Sequence, residues 1–226
     1  MPRHLVLFDI DGTLLDVHGA GRRAFAAALH ATWAVDDDLG DVRFAGATDL
    51  GVLQQLRARH ALPEADEPAF FRAMERTLAA ALGPEPPRVY AGVRTCLDRL
   101  AQDADVMLGL VTGNALRCAQ VKLEHAGLDR AIFDVGGYGD EHHDRDELAR
   151  RTVARARQAR GMHDVGFARI FLVGDTPNDV RAARAIGAVA VAVTTGHFDR
   201  AALVDAGADV VVDDLAAFTL VAGAAA

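Results

Sequence analysis

Lysine is almost missing from this chain: Lys122 stands alone among 226 residues, and arginine supplies the rest of the 24 basic side chains. Cysteine is scarce as well. Cys96 and Cys118 sit far apart and in no CxxC pair, so there is no paired-thiol redox or zinc motif. Both fall in helical segments, where buried free thiols in a reducing compartment are expected. A basic excess is lacking too, with 32 acidic side chains and a net charge of -8, which argues against a nucleic-acid scaffold and its need for a basic stripe. Long hydrophobic runs are absent: stretches such as Ala188 to Val193 and Asp209 to Val212 are strand-sized, far below the roughly twenty residues of a spanning helix. The opening apolar run, Leu5 to Phe8, stops at Asp9 and is too short for a secretory leader. These absences point to a cytoplasmic protein without membrane or nucleic-acid partners. No internal repeat is evident.

At 51% hydrophobic and 25% charged residues, the chain has the composition of a globular protein and excludes a disordered one. Short continuous apolar runs predict strands at Leu5–Ile10, Val106–Val111, Ile132–Val135, Ile170–Val173, Val189–Val193 and Val210–Val212. Continuity rather than alternation is the pattern of strands covered on both faces of a parallel sheet. Helical patterns over Val93–Ala101, Ala115–Ala126, Arg145–Arg160, Asn178–Ile186 and Arg200–Ala206 lie between them. The expected fold is therefore α/β, a doubly wound parallel sheet.

One interval breaks the alternation. Arg22–Trp33, Asp49–His60 and Pro68–Leu82 are helical patterns with no strand between, and the stiff Gly83-Pro84-Glu85-Pro86-Pro87 follows as a linker. The expectation is an all-helical insert, residues 17–84, in a core made of residues 1–16 and 85–226. His18 and Gly19-Ala20-Gly21 fit a hinge entering the insert. The alanine-rich end, Ala222 to Ala226, is expected to fray.

Three segments carry chemistry. In Phe8-Asp9-Ile10-Asp11-Gly12-Thr13-Leu14, Asp9 and Asp11 are two residues apart, so extended geometry sends both carboxylates to one side. They close the first strand, where open α/β sheets bind ligands. A plain Asp-Gly turn is the alternative. In Leu110-Val111-Thr112-Gly113-Asn114 a hydroxyl ends a strand and glycine bares amides at a helix start, which suits an anion; simple helix capping would use the same residues. In Val173-Gly174-Asp175-Thr176-Pro177-Asn178-Asp179, Asp175 leaves another strand end, and Asp179 faces it across the first helical turn or simply answers the helix dipole. Carboxylates gathered at one sheet edge repel unless a hard cation sits among them, and Mg²⁺ accepts such oxygens.

These segments resemble motifs I, II and IV of the haloacid dehalogenase superfamily, in its phosphatase branch with a helical cap after the first strand, close to phosphoglycolate-phosphatase-like enzymes. The resemblance implies a Mg²⁺-dependent phosphomonoester hydrolase acting on a small phosphorylated metabolite. Asp9 would attack phosphorus and become an aspartyl-phosphate, and Asp11 would protonate the leaving alcohol and later take a proton from water. Mg²⁺ would be held by Asp9, the backbone carbonyl of Asp11 and Asp175, with Asp179 near or through water. Thr112 and the amides of Gly113 and Asn114 would bind phosphoryl oxygens.

The family also carries a phosphate-binding lysine near a helix start between the second and fourth segments, and here the sequence departs. Lys122 lies three turns into the helix after Thr112, so it reads as a solvated surface residue. The expected substitute is Arg145, placed in the first turn of the helix before Ile170 by the capping-box spacing of Asp144 and Glu147. Glu141-His142-His143 fits a polar loop at the rim better than a zinc site, because adjacent side chains diverge. In the insert, Phe44-Ala45-Gly46-Ala47-Thr48-Asp49 resembles the family's cap loop, but Ala47 stands where an arginine is usual. Arg22, Arg43 and Thr48 are the candidate substrate contacts, with Arg23 as another cation close by. A sugar-phosphate mutase of the same superfamily and a catalytically weak phosphate-binding module are the alternatives.

Overall fold

The computed structural model describes residues 2–83, 86–161 and 166–220. The Ala222 to Ala226 tail and part of the Gly83 to Pro87 linker lie outside them. Six parallel strands form the main sheet: β1 (His4–Phe8), β4 (Val106–Val111), β5 (Val135–Gly137), β6 (Arg169–Gly174), β7 (Val189–Val193) and β8 (Val210–Val212). Their order is β5-β4-β1-β6-β7-β8, so β1 lies centrally between β4 and β6. His4 is level with both Val106 and Arg169, which brings the carboxyl ends of all three strands to one edge.

Although the strands are apolar throughout, their side chains divide by the period of two. Val6 and Phe8 join the core on one face, with helices α4 (Val93–Ala101) and α5 (Leu116–His125). Leu5 and Leu7 join the core on the other, with α6 (Arg145–Ala159), α7 (Pro177–Ala185) and α8 (Arg200–Asp205). Cys96 and Cys118 are buried free thiols on the first face, and burial pushes both above the ordinary thiol range.

The insertion is helical: α1 (Ala20–Trp33), α2 (Asp49–His60) and α3 (Glu67–Leu82). Phe25, Leu29, Phe70 and Leu78 make its centre, with Phe25 and Phe70 at 4.9 Å, and these residues belong to the same continuous core as Val6 and Phe8. A two-residue antiparallel ladder closes the root of the insertion, β2 (Leu15–Asp16) against β3 (Arg88–Val89), with an Arg88–Asp16 ion pair at 3.2 Å. It was not anticipated, because two residues carry no periodicity. His18 and Gly19, the expected hinge, both have positive φ, 50° and 73°.

One expected strand moves. Ile132–Val135 gives way to a 3₁₀ turn at Arg130–Ile132, and the strand is Val135–Gly137. The Asp129 carboxylate caps the amide of Ala131 and holds the turn, while Gly136 and Gly137 offer no side chains from which a strand can be recognised.

Candidate active site

β1, β4 and β6 are each followed by a polar residue at the shared edge, Asp9, Thr112 and Asp175, and a cavity of about 1280 Å³ opens there beneath the insertion. Asp9, Asp11, Gly113, Asn114, Arg145 and Asp175 all line it. Asp9 follows β1, its amide donating to Val173 O at 2.9 Å. Gly12 has φ +79°, and a Cβ there would lie 2.3 Å from Asp175 Oδ2, so only glycine lets the chain turn this close to that carboxylate.

Asp9, Asp175 and Asp179 converge. One oxygen from each lies within 4.8 Å of the others, and all three residues are buried. Burial drives the Asp9 carboxyl up to about 6, against the pull of Arg145, with Asp179 and Asp11 adding repulsion. Asp175 is held well above the ordinary carboxylate range by burial and by its neighbours Asp179 and Asp9. Asp179 does two jobs. Its Oδ2 closes a capping box with Thr176, accepting from the hydroxyl at 2.6 Å and the amide at 3.1 Å, while the buried Oδ1 faces the Arg145 guanidinium. Three buried carboxylates whose oxygens crowd together are a donor set that fits a hard divalent cation.

Arg145 enters this cluster from the first turn of α6, after the Asp144 cap. Its Nη2 lies 3.0 Å from Asp9 Oδ1 and 2.5 Å from Asp179 Oδ1, and it donates to Val111 O at 3.1 Å. Only 3% of its surface is exposed, and the anions around it outweigh burial and raise its pKa further. Arg150 and Arg151 instead pair with Glu147 on a solvated face.

Asp11 faces a second cation. Lys122 Nζ contacts its Oδ1 at 2.8 Å and Oδ2 at 2.7 Å, and donates to Asn114 Oδ1. Asn114 Nδ2 donates to Asp11 Oδ2 at 2.6 Å and to Thr112 Oγ1 at 2.8 Å. The expectation that Lys122 is a solvated surface residue is therefore wrong: it is 4% exposed. The miscount came from measuring its distance along the helix alone. A lysine side chain spans more than a helical turn, and α5 buries Cys118, Ala119, Lys122 and Leu123 on one face, directed at the site.

The remaining candidates divide. Thr112 is fully buried, with its hydroxyl accepting from Asn114. Thr48 caps α2, accepting from Gly51 N at 3.1 Å and donating to His143 O at 3.0 Å. Arg22 lines the cavity but spends its guanidinium on the carbonyls of Leu39 and Val42 and stacks 4.8 Å over Phe44. Arg43 lines the cavity and is exposed; Arg23 bonds the carbonyls of His18 and Ala81. His142 and His143 stack at 4.6 Å, and Glu141 pairs with Arg155. Asp49 was missed. Its amide donates to Gly113 O at 2.7 Å and its carboxylate accepts from Ala115 N at 2.7 Å, while burial lifts it to about 7. In sequence it looks like an ordinary first-turn acid after a threonine cap.

Comparison with known proteins agrees with this geometry. The family profile described as haloacid dehalogenase-like hydrolase matches residues 4–187. A phosphoglycolate phosphatase of Agrobacterium fabrum is 34% identical over 95% of this chain and 90% of its own length. One from Rhodospirillum rubrum is 32% identical over 96% and 89%. Among solved structures, a variant of CbbY from Rhodobacter sphaeroides bound to xylulose-1,5-bisphosphate superposes with a TM-score of 0.71. It is 22% identical and covers 96% of each chain.

Proposed function

The chain belongs to the haloacid dehalogenase-like hydrolases, and from that premise we propose that it is a Mg²⁺-dependent phosphatase of small phosphomonoesters, with phosphoglycolate-like compounds as its substrate class. The observation that carries the reading is Asp9: a buried carboxylate at a strand end, crowded by Asp175 and Asp179 and gripped by Arg145. The substrate class is supported by the two phosphoglycolate phosphatases similar along nearly the whole chain.

Asp9, Asp175 and the backbone carbonyl of Asp11 would hold the Mg²⁺ ion, with Asp179 beside them. When bound, the ion would supply positive charge that holds Asp9 in its ionised, nucleophilic form and lets two anions approach. With one Asp9 oxygen held by Arg145, the other attacks phosphorus. The phosphorus–oxygen bond to the alcohol breaks, its electrons stay on the alcohol oxygen, and Asp11, carrying a proton at the start of the cycle, gives it to that oxygen. Water then attacks the aspartyl-phosphate, giving its proton to Asp11 and releasing inorganic phosphate and free Asp9. Thr112 and the Gly113 and Asn114 amides would bind the phosphoryl oxygens that do not transfer. Arg43 is the exposed cation available to an anionic leaving group.

The test is phosphate release from a panel containing 2-phosphoglycolate, a hexose 1-phosphate and an aryl phosphate, with Mg²⁺ and with chelator. Metal-dependent release, strongest in kcat/KM for the small carboxylated ester, is expected. Isomerisation of the hexose phosphate without free phosphate, or no turnover of any ester, would overturn the reading.

A further inference from the structure

An ammonium group taken out of water keeps its charge only if acceptors replace its hydration. Lys122 has three N–H donors and three acceptor atoms within 2.8 Å: both oxygens of Asp11 and Oδ1 of Asn114. Asp11 is the less sheltered partner, its side chain 40% exposed toward the cavity. A half-exposed aspartate in a polar cavity ordinarily samples several rotamers. Here Lys122 touches both of its oxygens and the Asn114 amide binds one of them from a second direction, so the carboxylate plane is set. The same Asn114 amide bonds Thr112, which ties the arrangement to the end of β4. Lys122 itself is fixed by α5, whose buried face packs into the core beside it. Each of the two acids at the end of β1 thus has its own cation, Arg145 on Asp9 and Lys122 on Asp11.

We propose that Lys122 is a positioning residue for proton transfer: the Lys122–Asn114 pair aims the Asp11 carboxyl at the leaving-group oxygen. In this role Lys122 acts through Asp11 and not on the substrate itself. This rests on Asp11 as the proton donor in the reading above. Aim matters in proportion to how badly the leaving group needs its proton. An alkoxide cannot depart unprotonated, whereas a nitrophenolate can, so loss of aim penalises alkyl esters and spares the activated aryl ester.

The experiment measures kcat/KM, which contains only the steps through the first phosphoryl transfer, for Lys122→Met and the unaltered protein with Mg²⁺. The probes are 2-phosphoglycolate, propyl phosphate and 4-nitrophenyl phosphate. A fall of about 10²-fold is expected on both alkyl esters and of no more than roughly threefold on the aryl ester. In an Asp11→Asn background, the lysine change is expected to cost nothing further on the alkyl esters, since there is no longer a proton to aim. Equal losses on all three probes mean a structural role and overturn the proposal. A loss confined to 2-phosphoglycolate means that Lys122 binds the substrate carboxylate and overturns it as well. Multiplying losses in the double variant do the same. Lys122→Gln, which keeps two donors, is measured if the methionine variant does not fold, with the same selective pattern expected at smaller amplitude. An unaltered protein inactive on every probe defeats the phosphatase reading itself; an active one with unselective losses defeats only the role of Lys122.

Discussion

Arg145 and Asp9, both buried, meet at 3.0 Å, one from the first turn of α6 and the other from the end of β1. The same Nη2 atom also reaches Asp179 and the carbonyl of Val111. One nitrogen therefore joins β1, β4 and α7, and its positive charge is what permits three carboxylates to be buried together.

Arg145→Ala is expected to lower turnover and phosphate affinity together and to destabilise the fold by about 3–5 kcal/mol, because buried carboxylates lose their counter-charge. Denaturant unfolding and steady-state kinetics check this. Arg145→Lys is expected to recover part of both losses, since an ammonium can occupy the place of Nη2 but lacks the fork. Unchanged kinetics in the alanine variant would assign the role to another cation.

Asp9→Asn is nearly isosteric and removes the proposed nucleophile. Turnover is expected to fall by at least about 10³-fold, while the melting temperature measured without metal stays level or rises, because one of the mutually repelling acids has become neutral. Steady-state hydrolysis at the original rate would exclude Asp9.

Mg²⁺ is expected to raise the melting temperature in a concentration-dependent way, as any ligand selective for the folded state does. Asp175→Asn is expected to melt higher than the unaltered protein in chelator and to lose that rise. A rise of the same size in the variant would remove Asp175 from the metal site.

The Asp49 carboxyl, lifted by burial to about 7, makes a pH signature. Between the unfolded value near 4 and about 7, the folded protein holds a proton that the unfolded chain has released, so stability falls as pH rises through this window and levels off above it. Asp9 and Asp175, also raised, slope the same way in the absence of metal. Asp49→Asn is expected to shrink the stability difference between pH 5 and pH 8 in chelator, measured by denaturant titration. An unchanged difference would show that Asp49 is ionised in the fold at both pH values.

Much of the fold was legible because five of the six main strands are dense apolar runs between helical patterns. The acidic cluster was legible because Asp9 and Asp175 stand where apolar runs end and Asp179 follows Asp175 by one helical turn. β5 was displaced because two of its three residues are glycines, which carry no hydrophobic signal. The ladder of β2 and β3 was too short to read. Lys122 was misplaced by its distance along the helix even though its helical phase matches Cys118 and Ala119, and a lone lysine in the stripe of an amphipathic helix is itself a sign of a buried partner. Asp49 could not be read as buried, since its enclosure depends on loops far off in sequence.

At the start of α2, successive amides of Asp49 and Leu50 are bonded to the carbonyls of Gly113 and Gly139, and the Thr48 hydroxyl to that of His143. Gly113 and the Ala47 carbonyl are so close that a Cβ on the glycine would lie 2.0 Å from that oxygen. This stretch of the insertion is mechanically part of the catalytic floor rather than of the roof above it. A movement of the insertion that kept these bonds would bend the chain on either side of residues 47–50, so substitutions there are expected to register in the speed of turnover as much as in the choice of ester.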